Sequence, residues 1–148
     1  MTDGALVGLR ILDPTAWRGV LTGRLLAIMG ANVLQIEGPD GSDARGIPPF
    51  DTAGGSLFWE AYGAGRKSLV LDRKTEMDRL MALADTADVV LESGVPGRTP
   101  FLDTDALLAA NPGIIHSIVT PYGLTGPKAG YADSDLTLWA AGGPLKPT

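Results

Sequence analysis

The sequence predicts an α/β domain: an open, mostly parallel, Rossmann-like sheet with helices on both faces. Three observations point there. Short β-rich runs alternate with segments of helical periodicity, the order expected of βαβ units joined by right-handed crossovers. The runs "VLQI", "LVL" and "VVL" are almost continuously apolar, as strands covered on both faces should be. The chain's 148 residues suit one domain, long enough to form a core without disulfide or metal staples.

The first element is "LRILD" (9–13), a β-rich run ending on Asp13. "GVLTGRLLAIMG" (19–30) places Leu21, Leu25, Ile28 and Met29 at helical spacing, with Gly30 as the C-terminal cap. "NVLQIE" (32–37) and "SLVLD" (68–72) read as the second and third strands. Thr75 and Asp78 resemble a capping box, opening a helix to about Ala84 with Met77, Leu80, Met81 and Ala84 on one face. "DVVLES" (88–93) is a fourth strand, and a short helix over 104–110 stops before Asn111-Pro112. "GIIHSIVT" (113–120) makes the fifth strand, and "SDLTLWAAGG" (134–143) a last helix closed by glycines.

The exception is 38–67, which has no strong periodic signal but holds Phe50, Phe58, Trp59 and Tyr62. Loops of that length in compact domains are usually functional or disordered, and the aromatics favour an ordered one. It begins directly after Glu37, with "GPDGSDARG" carrying Arg45. Ligands of open α/β sheets sit outside the carboxyl ends of strands, so this junction is a candidate binding edge; ordinary turn chemistry is the plainer account.

Composition removes several classes of function. The formal net charge of −5 argues against nucleic acid as a general partner. With no cysteine there is no disulfide or thiolate chemistry, and with one histidine a His-based metal site is not expected. No apolar run has transmembrane length and the N-terminus lacks a signal-peptide pattern, so a soluble, cytoplasmic protein without membrane contact is the expectation. There is no G-x-G-x-x-G after the first strand, no G-x-x-x-x-G-K-[ST] and no G-x-S-x-G. His116 lies inside an apolar strand and reads as a structural histidine.

Taken together and in order, "GLRILD", "LLAIMGANVLQIEGPDGSDAR", "GRKSLVLD", "ADVVLES", "NPGIIHSIVTPYGLTGP" and "DLTLWAAGG" resemble the N-terminal part of the family III CoA-transferases, the formyl-CoA transferase and carnitine CoA-transferase group. Each motif is weak alone; the ordered set over residues 6–148 is specific. The resemblance implies that residues 1–148 are the N-terminal part of a large CoA-binding α/β domain, with the smaller second domain absent from this chain. It also implies a homodimer or a complementary chain, and transfer of CoA between an acyl-CoA and a small carboxylic acid, without a metal.

Carried over position by position, the resemblance puts CoA contacts at Ala16, Trp17 and Arg18 after the first strand, and at Gly38 after the second. Leu71 and Lys74 follow the third, Ser93 and Gly94 the fourth, and Thr120, Pro121 and Tyr122 the fifth. Arg98 follows in the loop after the fourth strand. All of these except Arg98 lie at carboxyl ends of expected strands. The 3′-phosphate and pyrophosphate of CoA need cations or free N–H groups, and Arg18, Arg45, Lys67, Lys74 and Arg98 stand in or beside these loops. The adenine needs an apolar face, which Leu71 or Tyr122 could offer.

The chain departs from the family pattern in places. Gly63 and "GAGRKS" replace an Asn before the basic turn, Ser93-Gly94 replaces Asn-Phe, and "TAWRGVLTG" lacks Ala-Gly-Pro. The transferases use an aspartate that forms an anhydride and then an aspartyl-CoA thioester, a role suited to a carboxylate. It follows the segment matched here by "GGPLKPT", which ends at Thr148, so the resemblance leaves no catalytic residue in this chain. Asp135 is the alternative: it matches an aspartate that pairs with a histidine in the related α-methylacyl-CoA racemases, but Leu108 occupies the histidine position. Asp133 and Asp135 could equally cap the last helix. A non-catalytic CoA-binding subunit or assembly module is the remaining alternative.

Overall fold

The computed structural model describes residues 4–96 and 100–143. Among these residues five strands form one sheet: β1 (Arg10–Asp13), β2 (Asn32–Glu37), β3 (Lys67–Val70), β4 (Val89–Ser93) and β5 (Ile115–Val119). All pairings are parallel and the order is β3-β2-β1-β4-β5. The chain therefore winds outward from β1 in one direction and then from β4 in the other. The switch falls between β1 and β4, where open α/β sheets bind ligands.

Among the described residues five α-helices accompany the strands: α1 (Val20–Ile28), α2 (Leu57–Gly63), α3 (Met77–Asp85), α4 (Thr104–Ala110) and α5 (Asp135–Gly142). Strand residues alternate between two apolar layers. Leu12, Ile36 and Val90 meet Leu80 and Ala84 of α3 and Leu107 of α4. Ile11, Val33 and Leu91 form the opposite layer, against Leu26 and Ala27 of α1. The expected fold is thus present, with a wholly parallel sheet.

The helical spacing identifies α1 but not its buried face. Leu21, Leu25, Ile28 and Met29 remain 45–62% exposed, and Val20 and Gly23 are the buried positions. Most of "VLTGRLLAI" is apolar, so its sequence offers little preference for one face. Gly23 decides the approach: a Cβ there would collide with Asp13 Oδ2 and Arg66 Nη1, so only glycine lets α1 lie over that pair. Gly30, at φ +99°, ends the helix as expected, with its N–H donating to Ala27 O at 3.0 Å and that of Ala31 to Leu26 O at 3.1 Å.

Two other expectations need correction. No Thr75 capping box forms; Glu76 is the N-cap of α3 and makes no capping bond. Instead Asp72 accepts from Lys74 N and Glu76 accepts from Asp72 N, both at 2.9 Å, so these acids close the turn before the helix. The 38–67 segment, read as lacking a periodic element, contains α2, whose N-cap Ser56 accepts from Trp59 N at 3.1 Å. That serine was the available signal; without Glu or Gln three residues later, the pattern is incomplete.

Candidate functional site

β1, β2 and β4 each carry a buried carboxylate at or next to the carboxyl end, and each carboxylate catches the N–H groups of the loop that follows. Asp13 accepts from Thr15 N at 3.1 Å and from its hydroxyl at 2.5 Å. Glu37 accepts from Ser42 N at 2.8 Å. Glu92 accepts from Phe101 N and, at 3.1 Å, from Leu102 N. A cationic or ring nitrogen meets each acid: Arg66 Nη1 at 2.7 Å from Asp13, Arg45 Nε at 2.6 Å from Glu37, and His116 Nε2 at 3.2 Å from Glu92. Thr104 Oγ1 holds the other imidazole nitrogen at 2.9 Å, giving His116 a structural place.

These anchors explain why β2 ends on an acid before a glycine-rich loop. Bonds from Arg45, assisted by Ser68 and Ser42 N, hold the Glu37 carboxyl down to about 2 against the opposing effect of burial. Arg45 is thereby committed to Glu37, and its guanidinium also stacks 4.2 Å over Trp59. Arg66 lies 5.5 Å from the same ring and bonds Gln35 Oε1 as well as Asp13. Burial pushes the Asp13 carboxyl up, while Thr15 and Arg66 oppose it. Trp59 of the long loop therefore lies against the arginines of both ion pairs.

The carboxyl edge above these anchors carries a cleft of about 520 Å³. Trp17 and Arg18 from the turn after β1, Thr120 and Pro121 after β5, and Asp135 and Leu138 of α5 line it. Arg18 Nη2 donates to both oxygens of Asp133, at 2.9 and 2.8 Å, tying the segment before α5 to the turn after β1. Ser134, not either aspartate, caps α5: it accepts from Thr137 N at 3.3 Å, and Thr137 Oγ1 accepts from Ser134 N at 2.8 Å. That leaves Asp133 to Arg18 and Asp135 on the cleft wall. Leu108 sits on α4, 41% exposed, outside the cleft lining.

A smaller crevice of about 140 Å³ adjoins β1 and β2, lined by Ala16, Gly38, Ser42, Asp43 and Arg73. Ala16 N donates to Ser93 Oγ at 3.1 Å, bridging β1 and β4 across the switch, and Trp17 N donates to Asp43 at 3.1 Å. Arg73 is the residue that sequence reasoning missed. Its Nη2 donates to Pro14 O at 2.9 Å and its guanidinium lies 5.2 Å from the Phe101 ring. Burial pulls its pKa down, while the charges of Glu92 and Asp43 push it up. Sequence alone favoured Lys74 because Arg73 acquires this place only when β1 comes alongside.

The other expected positions are scattered in character. Lys74 is exposed. Leu71 is completely buried in the core and offers no side-chain face for an adenine. Gly94 is buried against Thr120 and Ile118. Tyr122 stands edge-on to Tyr131, with ring centroids 6.3 Å apart. Lys67 opens β3 at the amino edge, away from these loops, and Arg98 lies outside the described residues. Among the described residues no helix is long and apolar enough to cross a membrane.

A wholly parallel sheet flanked by helices, with a cleft at its carboxyl edge walled by a cation, an aromatic and carboxylates, defines an open α/β domain. The chain belongs to CoA-transferase family III, whose sequence pattern matches residues 6–148. It is similar to the Mycobacterium tuberculosis protein named "Probable fatty acyl-CoA transferase Rv3272", 37% identical over 93% of this chain and 37% of the relative. It is also similar to a succinate–glutarate CoA-transferase of Agrobacterium fabrum, 33% identical over 93% of this chain and 38% of the relative. Among solved structures, a CAIB/BAIF family protein from Brucella suis superposes with a TM-score of 0.81 at 32% identity, over 95% of this chain and 39% of that one. The chain thus spans less than two fifths of the length of these two curated relatives.

Proposed function

We propose that this chain binds coenzyme A for an enzyme that moves CoA from an acyl-CoA donor to a carboxylic acid. The observation that carries the reading is the cleft itself. Its roughly 520 Å³ falls in the range of small-molecule sites, and it joins Trp17 and Arg18 to Thr120 and Pro121, four of the positions the family resemblance selects. Ala16 and Gly38 line the adjoining crevice, where Arg73 adds a cation. In this reading the nucleotide lies along the strand ends from Gly38 to Lys74, and Ser93 and Gly94 contact it beside the switch. The pantetheine runs toward Thr120–Tyr122 and the thioester enters the large cleft.

The family chemistry then asks for a carboxylate that attacks the acyl thioester and releases CoA thiolate, forming a mixed anhydride. The thiolate attacks the enzyme carbonyl of that anhydride, giving an aspartyl-CoA thioester and the free donor acid. We assign that nucleophile to sequence outside these 148 residues. Asp135 supports a second reading, an α-proton transfer of the racemase kind, because it lines the cleft; Leu108 does not supply the partner acid or base. Association with a second copy or a complementary chain is supported by α5, where Leu136 and Trp139 are 69% and 52% exposed.

Titration calorimetry with CoA tests the binding half of this proposal, and absence of CoA binding would end it. The chemical half is tested by exchange between an acyl-CoA and a labelled acid, with mass spectrometry of the protein. We expect no turnover by the 148-residue chain alone; turnover with an adduct on Asp135 would make Asp135 the nucleophile.

A further inference from the structure

We infer that the large cleft takes an apolar, uncharged acyl group, and selects against an acyl chain ending in a second carboxylate. This rests on the CoA reading above and names the substrate class for the same site. Relatives of this chain are named for both kinds of acid, fatty acyl on one side and succinate with glutarate on the other, so membership of the family does not choose between them.

The walls of the cleft do choose. Trp17, 47% exposed, presents an aromatic surface, and Val119, Pro121 and Leu138 add aliphatic surface. An alkyl or aryl tail lying there leaves water for apolar contact along its length. Arg18 is the one cation among the described lining residues, and it is already committed to both oxygens of Asp133. Its side chain is 30% exposed and that of Asp133 only 9%, so the acid lies deeper than the base. Asp135 adds a second carboxylate, so one positive and two negative side chains leave the described part of the wall at a formal −1. Among the described lining residues, a carboxylate-tipped acyl chain entering this space finds no uncommitted counter-charge. Taking Arg18 for itself would strand a nearly buried Asp133, an exchange that costs more than it returns.

The test compares butyryl-CoA with succinyl-CoA, which share a four-carbon acyl skeleton and differ at its end, methyl against carboxylate. Calorimetry on this chain should find butyryl-CoA bound roughly tenfold or more tighter than succinyl-CoA. Asp133→Asn releases Arg18 and should move the ratio of the two affinities about tenfold toward succinyl-CoA. Because the ratio is taken within one variant, changes in contacts to CoA itself cancel. Leu138→Ala should reduce the advantage of butyryl-CoA over free CoA by roughly threefold. Equal or tighter binding of succinyl-CoA by the unaltered chain, with free CoA still bound, overturns this inference and leaves the CoA reading standing. Failure of free CoA to bind overturns both. Should Asp133→Asn not fold, judged by circular dichroism, the affinity ratio of the unaltered chain decides alone.

Discussion

Arg45 holds Glu37 through both carboxylate oxygens, Nε at 2.6 Å and Nη2 at 2.7 Å, eight residues after β2 has ended. The pairing turns the charged end of a buried strand into the anchor of the loop that follows. It also removes Arg45 from the set of cations free to meet a phosphate.

The pH dependence of stability follows from this anchor. The Glu37 carboxyl sits near 2 in the folded chain against an ordinary 4.5, so between those values the folded chain binds fewer protons than the unfolded one. Its contribution is full above about 4.5 and is lost as pH falls toward 2. Glu37→Gln should lower the melting temperature at neutral pH, and the gap from the unaltered chain should narrow as pH falls through that window. Thermal melts from pH 7 to pH 2.5 check it; a constant gap would mean that Glu37 does not titrate as described.

The Arg66–Asp13 pair is the buried counterpart. The side chains are 1% and 0% exposed, 2.7 Å apart, and Arg66 also bonds Gln35. Arg66→Met leaves Asp13 without its cation and should cost about 3–5 kcal/mol in urea unfolding. Asp13→Asn together with Arg66→Met should recover part of that loss, since no unpaired charge remains. A single variant costing less than about 1 kcal/mol would show that Asp13 folds neutral without help.

Gly94 marks a close approach between the ends of β4 and β5. A Cβ there would fall 2.5 Å from Thr120 Cγ2 and 3.2 Å from Ile118 Cγ2. Gly94→Ala should therefore destabilise by about 1–3 kcal/mol through overpacking. Adding Thr120→Ser removes the colliding methyl and keeps the hydroxyl that accepts from Gly123 N at 2.7 Å. The double variant should be more stable than Gly94→Ala alone, measured by the same unfolding curves.

Lys74 tests the nucleotide placement. If it makes a charge-assisted phosphate contact, Lys74→Ala should weaken CoA binding by about 1–3 kcal/mol. Parallel titrations with dephospho-CoA assign the contact: an unchanged loss points to the pyrophosphate and a vanished loss to the 3′-phosphate. Unaltered affinity for both ligands would move the nucleotide away from the end of β3.

The order of elements, the parallel sheet and the family were legible in the sequence because their signals are local or ordered along the chain. Apolar runs mark strands covered on both faces, Gly30 ends α1, and glycine closes α5. The same locality explains what was not legible. A helix apolar over much of its circumference does not declare its buried side, so α1 turned on Gly23 meeting Asp13 and Arg66. Cations near the strand ends were countable, but their partners were not. Arg66 finds Asp13 across 53 residues and Arg18 finds Asp133 across 115, while Arg73 reaches Pro14 across 59. Such pairings depend on which strand ends the sheet brings side by side, and burial then makes each one costly to leave unmade. The sequence by itself determined the fold and the family; only the tertiary structure decided which charges are spent on holding the edge together and which face the cleft.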